Sequence, residues 1–207
     1  MEIEYFGGNC VKLSNKKANL VVDDNLAELG LKTKTNSSDI CLVTSKDIKV
    51  DNDARFLVNC PGSYEISDIS VKGIAARSHL DENGQRATVY VVRMGGFTVA
   101  VVGHIYPEIS DDLAEEIGVV DILIVPVGGS GYTLDAVGAA KVANKIDPKV
   151  VVPTHYADAK INYPVPQAEL AEFLKIMGTN EPEKTSLLKV KESELGDKMH
   201  VVVVERS

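Results

Sequence analysis

Short apolar runs rich in Val and Ile recur along this chain, each of a length that suits a β-strand. They fall at Asn19–Val22, Ile40–Val43, Phe56–Val58, Ile69–Ile74, Thr88–Val92, Phe97–Val102, Ile122–Val125, Val150–Val152 and Val201–Val204. Gly95-Gly96, between two of the strongest runs, predicts a tight β-turn, and Asn83-Gly84 predicts a hairpin or loop tip. Helical spacing appears in three places, all in the second half. Ser110, followed by Asp111 and Asp112, predicts a capped helix through Ile117 that Gly118 stops. Leu134–Ile146 predicts a second, capped by Thr133 or Asp135 and ended by Asp147-Pro148. Val165–Met177 predicts a third, with a proline in its first turn and Gly178 at its end.

The first hundred residues therefore read as almost all β, and the second hundred as alternating helix and strand. That order predicts an α/β fold of two stacked sheets with helices outside. Val99-Ala100-Val101-Val102 and Val150-Val151-Val152 lack polar alternation, so both should be central strands covered on two faces. No linker or low-complexity tract divides the chain, which predicts one domain over residues 1–207. Glu181-Pro182-Glu183-Lys184 reads as a surface loop.

Composition narrows the partners more than the fold. A net charge of −8 with no basic stripe argues against nucleic acid. No run reaches the ~18 apolar residues of a membrane span. The start, Met1-Glu2-Ile3-Glu4-Tyr5-Phe6, has no signal-type pattern, so the expected location is cytoplasmic. Cys10, Cys41 and Cys60 are odd in number and widely spaced, which predicts buried or semi-buried thiols, not a cysteine zinc site.

Three of the four histidines share one setting. His79, His104 and His155 each lie just past the end of an apolar strand, where α/β folds build sites from loops on a rigid sheet. One histidine so placed is ordinarily a hydrogen-bonded structural residue; three together raise the prospect of a site. His200 precedes a strand and reads as structural. Gly128-Gly129-Ser130-Gly131 joins a strand to a helix but lacks the ending of a phosphate loop, so it reads as a turn.

In order along the chain, Phe6-Gly7-Gly8-Asn9-Cys10-Val11, Leu20-Val21-Val22-Asp23, Cys60-Pro61-Gly62-Ser63-Tyr64-Glu65-Ile66, Asp121 through Gly129 with Thr133-Leu134-Asp135-Ala136, and Val151-Val152-Pro153-Thr154-His155-Tyr156 resemble the metallo-β-lactamase fold superfamily. The likeness is to its branch of small metal-dependent hydrolases similar to ascorbate-6-phosphate lactonase. It covers residues 2 to about 165, and it implies a four-layer αβ/βα sandwich with the site on one edge. Within that likeness, His79 and His155 match family metal ligands, and His104 stands where a bridging aspartate is usual. The H-x-H-x-D-H cluster that should follow Ile40–Val43 falls on Ser45, Asp47, Lys49 and Val50, and Gly8 replaces an early histidine.

Those departures remove four of about seven protein ligands, so a dinuclear metal pair is not expected. The leading reading is a degenerate member without dinuclear hydrolase chemistry, retained for binding a small molecule or a partner. The alternative is a mononuclear metal-dependent hydrolase, one zinc on His79, His104 and His155, acting on a small phosphorylated or lactone-type metabolite. A third is metal-free acid–base chemistry by His79 or His155 with Asp81, Asp23 or Tyr156. Asp23, Gly129, Ser130 and Tyr156 are the expected cleft walls. A homo-oligomer is compatible with such a sheet fold.

Overall fold

The computed structural model describes residues 1–50, 53–81, 84–196 and 198–207. Fourteen strands among them form two sheets. The six-stranded sheet runs β13-β1-β2-β3-β4-β5, built from β1 (Glu2–Gly7), β2 (Cys10–Ser14), β3 (Asn19–Val22), β4 (Ile40–Leu42), β5 (Phe56–Val58) and β13 (Leu188–Lys189). The eight-stranded sheet runs β12-β14-β11-β10-β9-β8-β7-β6. Its strands are β6 (Gly62–Ile66), β7 (Ile69–Ala76), β8 (Ala87–Met94), β9 (Phe97–Val101), β10 (Ile122–Pro126), β11 (Val150–Thr154), β12 (Glu183–Thr185) and β14 (His200–Val204).

Alternation along the central strands sorts the core into two layers. Val99, Val101, Ile122, Ile124, Val150 and Val152 point between the sheets, where they meet Ile3, Leu13, Leu20, Val22 and Leu42. Ala100, Val102, Leu123, Val125 and Val151 point outward onto the helices. Both faces are dry, which is why these strands carry no polar alternation. At ~25 cal/mol per Å² of apolar surface, such two-sided burial is the main force joining the layers.

The helices are α1 (Asp111–Ile117), α2 (Ala136–Ile146) and α3 (Leu170–Ile176), and all three pack on the outer face of the eight-stranded sheet. They serve as crossovers between parallel neighbours: β9 to β10 through α1, and β10 to β11 through α2. The Ser110 hydroxyl accepts from the Leu113 N–H at 3.1 Å. Of the two candidate caps of α2, Asp135 performs the task, its carboxylate accepting from the Gly138 N–H at 2.6 Å. Gly95 and Gly96 form the expected two-residue turn, with φ of 60° and 87° and Met94 paired to Phe97. Asn83 of the other turn signal lies outside the described residues.

The structure departs from the sequence reading in four respects. Among the described residues the outer face of the six-stranded sheet carries no α-helix; loops cover it, with Leu26 and Leu31 on one patch and Ile48, Val50 and Ala54 on another. The third helix starts at Leu170, not Val165. Pro164 and Pro166 disfavour helical backbone at the residues before them, and the Ala168 N–H donates to the Gly128 carbonyl at 2.7 Å instead. Glu183–Thr185 is no loop but the edge strand β12, parallel to β14. A charged edge strand carries no apolar run to betray it. Cys10 and Cys41 are buried as expected, whereas Cys60 is exposed.

Candidate functional site

The sheet topology delivers the three histidines to one edge. β9, β10 and β11 are parallel neighbours, and β7 runs parallel to β9 because each is antiparallel to β8. His79, His104 and His155 therefore emerge at the same ends of their strands, at the carboxyl edge where open α/β sheets bind ligands. β3 and β4 are likewise parallel, and Asp23 and Ser45 follow them from the facing sheet.

His104 is 8% exposed and its Nδ1 lies 3.2 Å from the Tyr132 carbonyl oxygen. His155 is 3% exposed, and its Nδ1 lies 3.0 Å from Gln167 Oε1. The Gln167 amide nitrogen donates to the Val165 carbonyl at 2.9 Å, so Oε1 is the acceptor and His155 Nδ1 carries the proton. Both imidazoles thus hold Nδ1–H and leave Nε2 as a lone pair. The two rings meet edge to face, centroids 5.0 Å apart. Burial pushes the pKa of His104 down to about 4 and that of His155 to about 3, so both are neutral near pH 7. His79 is joined through its main chain, its N–H donating to the His104 carbonyl at 2.9 Å. Its pKa is also lowered by burial, and its Nδ1 makes no hydrogen bond among the described residues.

His155 adopts φ of +54°, uncommon for a side chain of this size. Its N–H faces the Gly8 carbonyl at 2.9 Å and the Tyr5 hydroxyl at 3.2 Å, which fixes the turn after β11 to the start of the chain. Gln167 holds the ring from the other side. Replacing it as Gln167→Leu is expected to cost about 1–3 kcal/mol in urea denaturation, because the buried Nδ1–H loses its acceptor. An unchanged midpoint would mean that water or another acceptor replaces it.

Of the four positions on which the resemblance puts a ligand cluster, Ser45 and Asp47 reach the cavity beside His79 and His104, whereas Lys49 and Val50 do not. Ser45 is 5% exposed, pairs as an isolated bridge with Ala87, and accepts from the Asp47 N–H at 3.2 Å. Asp47 is an exposed ion pair with Arg86, which keeps its carboxyl below the usual range. Lys49 is exposed. Val50 packs against Cys41, Val43 and Ile48. Asp23 is fully buried and accepts from the Thr44 N–H at 2.7 Å and the Thr44 hydroxyl at 2.6 Å. Burial raises its pKa to about 7 against those donors.

What remains at the edge is a cavity of about 20 Å³. Ser45, Asp47, Ser78, His79, His104 and Tyr132 line it, closed by Ile48 and Leu80. One water needs roughly 10–15 Å³ by the same measure, so this space holds a water, not a metabolite. The lining takes none of the expected walls Asp23, Gly129, Ser130 and Tyr156. Ser130 donates its hydroxyl to the Pro166 carbonyl, and the Tyr156 ring packs 5.7 Å from that of Tyr5. Tyr132, its ring 4.8 Å from that of His104, was not signalled by any strand or loop pattern. Among the described residues, no group of three or more His, Cys, Asp or Glu side chains is arranged to hold a metal ion. The residues present do not fit the metal centre that the resemblance implies.

Comparison with known proteins gives this geometry a family context. A family profile described as a beta-lactamase superfamily domain matches residues 2–155. A metal-dependent hydrolase of Carboxydothermus hydrogenoformans is 31% identical over 119 residues, covering 54% of this chain and 50% of that protein. One of Pyrococcus furiosus is 29% identical over 137 residues, 64% of this chain and 57% of the relative. The chain thus spans little more than half the length of the curated relatives it matches. Among solved structures, a candidate zinc-dependent hydrolase of the metallo-β-lactamase superfamily from Thermotoga maritima superposes with a TM-score of 0.75 at 24% identity, over 99% of this chain and 98% of the other. A metallo hydrolase from Ignicoccus hospitalis gives 0.61 at 18% identity, over 92% and 99%. At these identities the structures speak for a shared fold.

Proposed function

The chain belongs to the β-lactamase superfamily, a family of metal-dependent hydrolase type, and from that premise we propose that it lacks dinuclear hydrolase activity and serves in binding. One observation carries this reading. The segment after β4 has become a structural clasp between the sheets. Thr44 accepts from the Thr88 N–H at 2.7 Å, the Lys46 N–H donates to the Arg86 carbonyl at 3.0 Å, and Asp47 pairs with Arg86. A ligand-bearing loop must aim its side chains at an ion, whereas here Lys49 faces solvent and Val50 an apolar patch. The small cavity supports the same reading, since a substrate needs room beside the histidines.

Elemental analysis of the protein purified without chelator tests this directly. The expected content is well below one equivalent of zinc, manganese or iron per chain, with no hydrolysis of lactone or phosphoester substrates when metal is added. Two equivalents of bound metal would end the proposal.

One observation favours the alternative of a single zinc ion on His79, His104 and His155. His104 and His155 are neutral and hold their Nδ1 toward oxygen acceptors, the way ligating imidazoles are usually oriented. Against it stands the absence of convergence among the described residues. Zinc titration of wild type and His104→Ala separates the two, with equal affinity counting against a three-histidine site.

A further inference from the structure

The cavity beside the histidines is small, and one aromatic side chain takes up the space next to it. Tyr132 follows directly on the glycine-rich loop. Its ring lies 4.8 Å from that of His104, edge to face, and 5.9 Å from that of His155. Without that phenol, its own volume and the 20 Å³ remainder it lines would join into one pocket against the two imidazoles. Engineered holes of about 150 Å³, left by removed side chains, take up benzene.

Nothing polar holds the ring where it is. The Tyr132 hydroxyl makes no hydrogen bond among the described residues. What is anchored is the main chain: its carbonyl accepts from His104 Nδ1 at 3.2 Å, and its N–H donates to the Gly129 carbonyl at 3.3 Å. A rotation about the Cα–Cβ bond can therefore carry the ring outward and leave His104 held. The surroundings permit it. Tyr132 is half-buried, Ser130 and Gly131 before it are exposed, and no atom lies within 4 Å of where a Cβ on Gly131 would stand. A side chain so placed changes rotamer without unfolding the chain around it.

The space beside the ring keeps polar groups that lack a partner. Ser78 is 3% exposed, and neither its Oγ nor Nδ1 of His79 has a hydrogen bond among the described residues. Both residues line the cavity, and Ile48 and Leu80 add an apolar wall. Buried polar groups are normally satisfied, so these mark the place of a missing partner. His104, its Nδ1 engaged, has only the Nε2 lone pair left to offer, which suits a donor. Charge is disfavoured here. Burial, and after it the carboxyls of Glu28, Asp23 and Asp47, oppose ionisation of the Tyr132 phenol itself.

We propose that Tyr132 is an internal plug, and that the pocket it occupies binds a neutral six-membered aromatic ring carrying one hydrogen-bond donor. The ligand ring takes the place of the phenol, and its donor reaches the water-sized space at Ser78, His79 and His104. This rests on the reading of the chain as a binding protein and names the class of ligand. Plug and ligand compete for one space, so the wild type binds more weakly than the open pocket, by the fraction of chains whose plug is out.

Calorimetric titration of the full chain with phenol, anisole and sodium benzoate, in wild type and Tyr132→Ala, tests the assignment. Phenol should bind Tyr132→Ala with a stoichiometry of one, at least about tenfold more tightly than it binds the wild type. Anisole lacks the donor and benzoate carries charge; each should bind at least about tenfold more weakly than phenol. At ten times its Kd, phenol should raise the melting temperature of Tyr132→Ala by about 3–6 °C. Ser78→Ala in that background should lower phenol affinity about fivefold. Should Tyr132→Ala fail to fold in buffer, folding restored by about 10 mM phenol supports the pocket equally, and no folding with phenol overturns it. Equal phenol binding by wild type and variant, or no saturable binding to either at millimolar concentration, also overturns the proposal. Metal content is read separately on the wild type, so a failed titration and a bound metal pair are distinct results.

Discussion

Lowering the pH from 6.5 to 4.5 is expected to destabilise the folded chain by about 2–3 kcal/mol, well before its surface ion pairs titrate. Three buried groups set this window. His104 and His155 have folded pKa values of about 4 and about 3, below the ordinary imidazole 6.5. Between pH 6.5 and 4 the unfolded chain binds two protons there that the folded chain refuses, so stability falls as pH falls. Asp23 acts in the opposite sense. Its folded pKa of about 7 lies above the ordinary 3.8, so between those values the folded chain holds a proton that the unfolded chain has released. The net difference is about one proton, or ~1.4 kcal/mol per pH unit.

Urea denaturation at half-unit steps of pH measures the slope. Asp23→Asn keeps an acceptor for Thr44 but removes the compensating proton, so its slope should steepen to about two protons. His104→Asn should flatten the slope of the wild type to near zero. Parallel slopes in all three proteins would show that these groups titrate as they do in the unfolded chain. The balance has a structural source: the neutral histidines and the protonated carboxyl face one another at the same end of the two sheets, and each takes the uncharged form that burial favours.

Gly103→Ala should cost about 3 kcal/mol. Gly103 has φ of +57°, where an alanine pays roughly 1 kcal/mol in backbone strain. The added Cβ would also lie 2.2 Å from the Thr44 hydroxyl and 2.4 Å from the Thr44 Cβ. Thr44 cannot swing aside. Its N–H and hydroxyl are held by Asp23 at 2.7 and 2.6 Å, and its carbonyl by the Thr88 N–H at 2.7 Å. Overpacking against so fixed a neighbour adds ~1–3 kcal/mol. For a chain of this size the melting temperature should drop by about 6–12 °C. Thr44→Ala in the Gly103→Ala background should recover part of the loss relative to Thr44→Ala alone, a coupling that a double-mutant cycle reads directly. A Gly103→Ala protein within 0.5 kcal/mol of wild type would mean that the sheets are not clasped at this point.

The strands that were legible in the sequence are those written as apolar runs, most of them because neighbours cover both faces; the edge strand β5 is the exception, with Phe56 and Leu57 exposed. β9, β10 and β11 read plainly because every residue in them is buried or nearly so. β1 and β2 carry only alternating patterns, Ile3-Glu4-Tyr5 and Val11-Lys12-Leu13, which the apolar-run criterion passes over although a period of two was there to find. β6 and β12 lie at the two edges of their sheet, and their residues are exposed or half-exposed. Nothing in a run of Glu183-Lys184-Thr185 distinguishes a strand from a loop until β14 lies beside it.

The candidate site divides in the same way. The chain alone placed His79, His104 and His155 at strand ends, since that concerns residue type and local position, and the family resemblance marked Ser45, Asp47, Lys49 and Val50 as unlike a ligand cluster. The order of the central strands and the helices, the dry central layer and the sheet class were also determined there, because hydrophobic periodicity is a property of neighbouring residues. Only the folded chain decided that Gln167 and Tyr132 would hold the two imidazoles, and that residues 164–168 would run as a strap instead of a helix turn. Each of these depends on hydrogen bonds or packing between distant segments, such as the Tyr5 hydroxyl at the His155 N–H across 150 positions. Such contacts are chosen by the closure of the two sheets, and no local window of sequence carries them.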